Sequence, residues 1–331
     1  MIRIGIIGLG WWGKQIVTCL AESPRFKVVA GCDVDHNNVA PFAAANGFDL
    51  VTDYRDLIKR AEVDAIAVVT PHLLHEEMAI AGLAAGKQVF CEKPFALTTA
   101  SAERILAASA KAGGVLGIGH ERRYEPAMEE LRRLYESGAL GRILLMDANV
   151  SHSNFRKMDP SNWRRDPKHA PAGAWTALGI HLGDMFVSLA GQPQRVSART
   201  ASQIFPSPFE DFVSADIDFK DGARGRITCL STPPFYGRFT LIGDQGWVEV
   251  QEGGNVDKGI PSSFVHCAAD GSRVTREYGH ANTVRMNFEA WADAVEGKKP
   301  YRFTTEQLLG NIRILDAVTR SAATDGKPIT L

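Results

Sequence analysis

The sequence predicts an α/β Rossmann domain with a doubly wound parallel sheet, followed by an α+β domain with a large, mainly antiparallel open sheet. The first third of the chain alternates short Val- and Ile-rich runs with helical patterns, as strand–helix–strand units do. After about Tyr124 the pattern changes to alternating apolar and polar stretches separated by turn residues. A chain of 331 residues has room for two domains. We expect them to cover residues 1–123 and 124–331.

The elements of the first domain follow from its uninterrupted apolar runs, which are typical of strands buried on both faces. The predicted strands are 3–7, 27–32, 65–69, 88–91 and 115–119. The predicted helices between them are 11–22, 37–46, 54–60, 76–85 and 100–112. Gly86 and Gly113 stand where glycines at helix C-termini belong, which supports two of these boundaries.

The second domain begins with a predicted helix over 127–137. Predicted strands follow at 142–150, 195–200, 213–219, 224–231, 239–242 and 247–250, with turns at 221–222 and 244–246. Helices at 283–295 and 305–323 close the chain. We expect this sheet to offer an apolar face for self-association, and therefore a homodimer or homotetramer.

Composition and charge exclude several classes of function. Lys and Arg number 37 against 38 Asp and Glu, so no basic excess is present to hold a nucleic acid. No apolar run reaches the length of a membrane span, and the initial run leads into glycines and Lys14 rather than a signal-peptide cleavage site. The five cysteines form no Cys-x-x-Cys pair, which favours a reducing, cytoplasmic setting.

No metal site is predicted. His72 with His75, and His181 with Asp184, could each place two ligands on one helix face. A metal site needs three or four converging ligands, and the sequence suggests no third.

A glycine-rich turn supplies the first functional signal. Gly8, Gly10 and Gly13 form G-x-G-x-x-G directly after the first strand and at the start of a helix. In this context the glycines allow a tight turn, a close approach of pyrophosphate and close packing of helix on strand. The N–H groups and positive dipole end of the helix can bind the phosphates. The segment therefore predicts dinucleotide binding.

Asp33 follows the second strand and can accept hydrogen bonds from the adenosine ribose. Its charge would repel a 2′-phosphate, and the next residues offer no arginine, so NAD is favoured over NADP. Trp11 and Trp12 lie inside the glycine-rich turn. They either line the cofactor channel or pack against the second domain, and the sequence leaves both readings open.

A lysine supplies the second signal. Glu92-Lys93-Pro94 comes directly after a predicted buried strand, at the carboxyl end where ligands of parallel sheets bind. This position would bring Lys93 near a nicotinamide. The alternative is a structural ion pair between Lys93 and Glu92.

These motifs together resemble the glucose–fructose oxidoreductase/inositol dehydrogenase (Gfo/Idh/MocA) family, over essentially the whole chain. The matching residues are the glycines at 8, 10 and 13, Thr70-Pro71 with His75, Glu92-Lys93-Pro94, Arg123-Tyr124-x-Pro126, Trp163-Arg164, Gly179-x-His181-x-x-Asp184, Gly243-x-x-Gly246 and Gly326-Lys327-Pro328. Each piece is weak alone, and their order along the chain makes the resemblance specific.

The resemblance implies NAD(P)-dependent interconversion of a secondary alcohol and a ketone, commonly on sugars and polyols. Lys93 would contact the reacting hydroxyl and His181 would act with it as acid and base, a role that suits a side chain titrating near neutral pH. Thr70, Pro71, His75, Glu92 and Lys93 would complete the cofactor site. Substrate is expected between the domains.

One position departs from the family pattern. An Asp that usually lies four residues before the histidine is Ala177 here. Glu121 could supply a replacement carboxylate for substrate binding, and Asp184 could orient the His181 imidazole. Both are hypotheses that the residues alone leave open.

The segment 159–171 is expected to be a loop that covers the substrate. Trp163 could stack on a ring and Arg164 could bind a hydroxyl, a carboxylate or a cofactor phosphate, or both could clamp the domains together. With Ala177, this loop would also suit a cyclic, possibly carboxylated dihydrodiol. A non-catalytic NAD-binding sensor is the remaining alternative, against which Lys93 and His181 argue.

Overall fold

The computed structural model describes residues 1–331, which fall into two compact units. The first unit comprises Met1–Glu121 and Asn282–Thr305. The second unit comprises Arg122–Ala281 and Glu306–Leu331. The sequence places the domain boundary after residue 123, and the chain first passes from one unit to the other after Glu121. Asn282–Thr305, which the sequence assigns to the second domain, groups with the first unit.

The first unit contains a six-stranded parallel sheet. Its strands are β1 (Ile2–Ile7), β2 (Phe26–Cys32), β3 (Asp49–Val51), β4 (Ala65–Val68), β5 (Gln88–Cys91) and β6 (Gly117–Ile118). They lie in the order β3-β2-β1-β4-β5-β6, which is the doubly wound arrangement of dinucleotide-binding folds. The predicted parallel sheet is confirmed. β3 was not predicted, because three residues are too few to form an apolar run.

Nine α-helices accompany the two sheets. They are α1 (Trp11–Ala21), α2 (His36–Ala45), α3 (Tyr54–Ile58), α4 (His75–Ala84), α5 (Thr99–Ala112), α6 (Pro126–Glu136), α7 (Ile180–Ala190), α8 (Thr283–Val295) and α9 (Thr305–Ala322). The predicted helices agree with these bounds to within two residues, and α7 is additional. None of the helices combines the length and apolar character that a membrane span requires.

The second unit contains a nine-stranded sheet. Its strands are β7 (Ile143–Ser151), β8 (Pro193–Ala201), β9 (Phe212–Phe219), β10 (Arg224–Leu230), β11 (Tyr236–Gly243), β12 (Gly246–Glu252), β13 (Ser262–Ala268), β14 (Arg273–Tyr278) and β15 (Ile329–Thr330). All neighbouring pairs are antiparallel except β7 with β10. The sequence did not predict β13, β14 or β15. Of these, β14 is an edge strand that is almost wholly exposed and shows no apolar alternation.

Aromatic packing explains why α8 belongs to the first unit. Phe288 stacks on Phe90 of β5 with 3.8 Å between ring centroids. Trp291 is fully buried, lies parallel to Phe26, and donates its indole N–H to the Val115 carbonyl at 2.8 Å. Burying side chains of this size stabilises a unit by several kcal/mol, roughly 1.5–3 kcal/mol for each. The helix therefore completes the core of the first unit.

The outward face of the nine-stranded sheet carries ion pairs as well as apolar side chains such as Trp247. Inward residues of its central strands, such as Met146 and Phe239, are buried. Outward residues include Asp147, which is paired with Arg238, and Arg226, which is paired with Asp216. The strict alternation of a strand thus places ion pairs on the face that helices leave uncovered.

Candidate active site

The glycine-rich turn after β1 has the geometry that a dinucleotide requires. Gly8 has a φ of +94°, and a Cβ there would lie 2.7 Å from the Val69 carbonyl oxygen. A Cβ on Gly13 would lie 2.0 Å from the Gly8 carbonyl oxygen. A Cβ on Gly10, by contrast, would meet nothing within 4 Å. Two glycines are therefore needed for packing, whereas Gly10 leaves open space beside the backbone.

The first turn of α1 is arranged for an anion. The N-cap residue Gly10 provides no side-chain cap, and the first turn contains no acidic residue. Its N–H groups thus have no carboxylate or hydroxyl of the helix start to bind, and the helix dipole favours negative charge there. The open space at Gly10 and this bare helix start fit the pyrophosphate of a dinucleotide.

Asp33 lies beside this turn at the end of β2. Its Oδ2 accepts the Leu9 N–H at 2.7 Å and its Oδ1 accepts the Asp35 N–H at 2.9 Å. A carboxylate oxygen has more than one lone pair, so both oxygens can accept further hydrogen bonds from ribose hydroxyls. Asp33 therefore fastens the glycine-rich turn and remains able to bind a ligand.

The two tryptophans of the turn lie in different surroundings. Trp11 is 59% exposed, and its ring lies 5.3 Å from that of Trp12. Trp12 is half-buried, and its indole opposes the rise in the pKa of the Glu92 carboxyl group. Trp12 therefore lies near the end of β5 within the first unit.

His75 joins the ends of two strands. It is fully buried at the start of α4, with Nδ1 2.8 Å from the Pro94 carbonyl oxygen and Nε2 2.8 Å from the Thr70 carbonyl oxygen. Burial lowers its pKa, although the two carbonyl contacts oppose this effect. His75 therefore supports the segments that carry Thr70, Pro71 and Lys93, and its ring is enclosed rather than directed to solvent.

Glu92 and Lys93 follow β5 as the sequence predicts. Glu92 is 6% exposed and accepts the backbone N–H of Lys93 at 3.2 Å, whereas Lys93 itself is half-buried. Burial, and next to it the charge of Glu121, raise the pKa of Glu92 to about 7 against the opposing effects of Trp12 and Lys93. Glu121 is 4% exposed, so two buried carboxyl groups lie in the region of Lys93.

In the second unit, His181 is the second residue of α7 and is 7% exposed. The preceding residues Trp175–Gly179 form a π-helix, with i→i+5 hydrogen bonding. In an α-helix, Ala177 would lie one turn before His181, on the same face. That spacing rule holds for α-helices only, so the expected alignment of positions 177 and 181 does not apply to this segment.

Asp184 binds an arginine of its own unit. Its two carboxylate oxygens accept hydrogen bonds from the Arg123 guanidinium at 2.7 and 2.6 Å, and both side chains are buried. Gln307 of α9 accepts a further N–H of Arg123 at 2.8 Å. This bidentate pair favours the structural reading of Asp184 that the sequence had left open.

The segment 159–171 is a loop with short 3₁₀ turns, as predicted. Asn162 accepts the Arg164 N–H at 3.0 Å and begins the turn Trp163–Arg165. The Arg164 guanidinium lies 4.2 Å from the centre of the Trp163 ring. The following arginine, Arg165, donates to the Phe155 and Met158 carbonyls and anchors the loop.

Two features that shape the site were not predicted from the sequence, namely Gly119 and the π-helix at Trp175–Gly179. Gly119 follows β6, and a Cβ there would lie 2.4 Å from both carboxyl oxygens of Glu92. A glycine inside a strand pattern is a signal of close approach, and Gly119 stood at the end of a predicted strand. The π-helix at Trp175–Gly179 has no comparable signal in the sequence.

Comparison with known proteins agrees with this geometry. Residues 2–120 match the GFO/IDH/MocA oxidoreductase family model described as an NAD-binding Rossmann fold, and residues 128–249 match the GFO/IDH/MocA C-terminal domain. The 1,5-anhydro-D-fructose reductase of Ensifer adhaerens is 27% identical over 98% of this chain and 97% of its own. Inositol 2-dehydrogenase 2 of Saccharopolyspora erythraea is 34% identical over 58% of this chain and 54% of its own.

A solved structure has the same fold. Levoglucosan dehydrogenase in complex with NADH and levoglucosan superimposes with a TM-score of 0.86 at 22% identity, over 99% of each chain. The glycine-rich turn, the strand order and both family matches lead to one conclusion. This chain belongs to the GFO/IDH/MocA oxidoreductase family, and its first unit is an NAD-binding Rossmann domain.

Proposed function

We propose that the protein interconverts a secondary alcohol and a ketone on a sugar, polyol or related cyclic hydroxy compound, with NAD as its cofactor. The observation that carries this proposal is the position of Lys93, two residues after the end of β5 in the unit that holds the glycine-rich turn. The named activities of two relatives, on an anhydro sugar and on inositol, support the substrate class.

Lys93 and His181 are the proposed acid–base pair. Bound NAD would supply the acceptor for the hydride that leaves the carbon carrying the hydroxyl. As the hydroxyl loses its proton, the Lys93 ammonium can stabilise the developing negative charge on oxygen. A histidine can accept and return a proton near neutral pH, which is the role proposed for His181.

The proposed cofactor residues extend from the glycine-rich turn along the ends of the strands. They are Gly8, Gly10, Trp11, Trp12, Gly13, Asp33, Thr70, Pro71, His75, Glu92 and Lys93. His75 contributes by holding the Thr70 and Pro94 carbonyls. Lys93, Glu121, Trp163, Arg164 and His181 are the proposed substrate residues. The charge of Asp33 supports NAD over NADP.

The deciding experiment is NAD reduction, followed by absorbance, across aldoses, inositols, sugar acids and cyclic dihydrodiols. Lys93→Met is expected to lower kcat by roughly 10²–10⁴-fold, the usual contribution of an acid–base group, while NADH still binds. Lys59→Met is the matched control, because Lys59 is an exposed lysine of the same unit. Full activity of Lys93→Met, or a similar loss in Lys59→Met, would contradict the proposal.

A carboxylated cyclic dihydrodiol is the second candidate substrate. It is favoured by the Arg164 guanidinium, which stacks on Trp163 and so is held in place for a planar anion. If this candidate is right, carboxylated substrates are preferred and Arg164→Ala removes that preference, whereas Lys168→Ala in the same loop keeps it. This candidate is rejected if Arg164→Ala and Lys168→Ala each turn over carboxylated and neutral substrates equally fast.

We also propose a cytoplasmic homodimer or homotetramer. All five cysteines are free, which suits a reducing compartment. The uncovered face of the nine-stranded sheet, which carries ion pairs and the half-buried Trp247, is the proposed surface of association. Light scattering of the purified protein tests the oligomeric state, and a monomer at micromolar concentration would reject the assembly.

A further inference from the structure

The loop between β8 and β9, residues 202–211, is fixed at its base by a buried aspartate. Asp211 is 1% exposed, and its carboxylate accepts three consecutive backbone N–H groups. Oδ1 accepts that of Gln203 at 3.0 Å, and Oδ2 accepts those of Ile204 at 2.7 Å and Phe205 at 2.8 Å. These donors replace the water that burial removes from the carboxylate. Since this loop belongs to no helix or strand, Asp211 determines the path of the chain through these three residues.

Phe205 connects this loop to a second loop of the same unit. The guanidinium group of Arg165 lies 4.7 Å from the centre of the Phe205 ring. Arg165 also donates to the Phe155 carbonyl at 2.7 Å and to the Met158 carbonyl at 3.0 Å. It is the last residue of the 3₁₀ turn Trp163–Arg165. The Phe205 ring therefore supports the arginine that anchors this turn.

A small aromatic core lies between the two loops. Phe209, which is 4% exposed, has its ring 5.5 Å from that of Phe205 and 5.0 Å from that of Phe155. These separations are typical of favourable aromatic pairs. Because Phe155 belongs to the segment that Arg165 binds, the β8–β9 loop and the turn at Trp163–Arg165 pack on the same core.

The end of the β8–β9 loop also contacts the residues that lead into the π-helix before His181. The Glu210 carbonyl accepts the Ala174 N–H at 2.9 Å. A Cβ on Gly173 would lie 2.1 Å from the same carbonyl oxygen, so the two backbones approach as closely as only a glycine permits. The β8–β9 loop thus contacts two segments of the second unit that lead to proposed substrate residues.

We propose that Asp211 is a positioning residue of the substrate site, which acts through Phe205 on the turn that carries Trp163 and Arg164. In this role Asp211 does not itself contact the substrate. It holds the turn in one conformation beforehand, so substrate binding does not have to supply the cost of ordering it. The inference rests on the proposed role of Trp163 and Arg164 as substrate residues and deepens it.

Amide hydrogen exchange of the full-length protein, without ligand and followed by mass spectrometry, tests this connection. In Asp211→Ala, exchange at 203–205 should be about tenfold faster or more, because a hydrogen bond to a charged group is worth at least that factor. Exchange in the peptide 159–171 should become about two- to fivefold faster, the factor that one cation–π contact provides. Asp270→Ala is the matched control. Asp270 accepts the Ser272 N–H at 2.9 Å in the exposed turn between β13 and β14, and its loss should affect that turn only.

Phe205→Ala is a second variant that keeps Asp211 and its hydrogen bonds but removes the ring beside Arg165. It should accelerate exchange in 159–171 by the same two- to fivefold or so. Ile204→Ala truncates a side chain that is 59% exposed in the same loop and should leave that peptide unchanged.

Two results overturn the proposal. One is unchanged exchange of 159–171 in Asp211→Ala or in Phe205→Ala. The other is an even acceleration throughout the second unit in both variants, which would show a general loss of stability. If Asp211→Ala does not fold, Phe205→Ala decides alone. Asp211→Asn keeps one acceptor oxygen and should therefore restore part of the protection at 203–205.

Kinetics separate this inference from the proposed function. The probe is the compound among the aldoses, inositols, sugar acids and dihydrodiols that the wild type oxidises fastest. Asp211→Ala should raise its KM about two- to fivefold with little change in kcat, because Lys93 and His181 are unaltered. A merely structural role would leave less active enzyme, so a lower kcat at unchanged KM would overturn the positioning role.

The two experiments can fail independently. If no compound is turned over, the proposed function fails, and hydrogen exchange still decides whether Asp211 holds the turn at Trp163–Arg165. If Lys93→Met abolishes turnover but exchange of 159–171 is the same in Asp211→Ala as in the wild type, the positioning role of Asp211 alone fails.

Discussion

The Asp33 side chain affects both the choice of cofactor and the shape of the glycine-rich turn. Its carboxylate holds the Leu9 N–H and carries the charge that opposes a 2′-phosphate. Asp33→Asn keeps the size of the side chain and removes the charge. We expect the affinity for NADPH relative to NADH to rise at least about fivefold, since removing one like charge is worth about 1 kcal/mol or more.

Fluorescence titration with both nucleotides measures that ratio. Asp35→Asn is the matched control, because Asp35 lies two residues further along the same turn and is exposed. An unchanged ratio in Asp33→Asn, or an equal change in Asp35→Asn, would show that Asp33 does not select the cofactor.

The raised pKa of Glu92 predicts that the free energy of unfolding depends on pH. Burial and the charge of Glu121 raise its pKa to about 7 from an ordinary value of 4.5. Between these two values the folded protein holds a proton that the unfolded chain has lost. The free energy of unfolding should therefore fall as pH rises through this window, by up to about 1.4 kcal/mol per pH unit from this group.

Urea unfolding at several pH values across the window tests this effect. Glu92→Gln cannot titrate, so its stability should fall less steeply with pH than that of the wild type. Glu277→Gln, which removes an exposed glutamate of β14, should follow the wild type. Parallel curves for the wild type and Glu92→Gln would refute the prediction.

At the scale of the element, different glycines of the glycine-rich turn serve folding and cofactor binding. Gly10→Ala should change the melting temperature little, because its Cβ meets no protein atom, but it should weaken NADH binding by filling the space beside the backbone. Gly13→Ala should lose about 1–3 kcal/mol of stability, the usual cost of overpacking, because its Cβ meets the Gly8 carbonyl oxygen.

Thermal melts and NADH titrations of the two variants measure the contrast. Each variant is the control for the other, since both add one methyl group to the same turn. Equal melting temperatures for the two, or NADH binding by Gly10→Ala as tight as in the wild type, would mean that the turn does not serve the cofactor in this way.

The elements also show what a sequence can predict. The parallel strands could be predicted because strands buried on both faces need continuous apolar runs, and the turn at residues 8–13 because only glycine tolerates the backbone at Gly8. The π-helix at Trp175–Gly179 could not, since its hydrogen bonds span five residues instead of the four of an α-helix and no residue pattern marks that difference. The position of the Glu92 carboxyl group could not be predicted either, because it depends on Gly119, which is close to Glu92 in space but not in sequence.

At the scale of the whole molecule, the first unit depends on a helix near the end of the chain. Trp291 of α8 is fully buried and packs near Phe26 and Phe90. Trp291→Ala should cost about 3–5 kcal/mol, as large-to-small changes in a core do. NADH binding should then be lost at a lower urea concentration than in the wild type.

Urea unfolding monitored with bound NADH tests this dependence. Trp247→Ala is the control, because Trp247 lies half-buried on the outward face of the nine-stranded sheet. A loss in Trp291→Ala no greater than that in Trp247→Ala would show that α8 does not complete the core of the first unit.

The return of α8 has a consequence for synthesis on the ribosome. Met1–Glu121 emerges first, but its partner segment Asn282–Thr305 emerges only after all of Arg122–Ala281 has been translated. At about 5–20 residues per second, that interval is roughly 10–30 s. For this time the nascent N-terminal sheet has Phe26 and Phe90 without their covering aromatic rings. Slow codons or a chaperone acting within this window should therefore change the yield of NADH-binding protein more than they would anywhere else along the message.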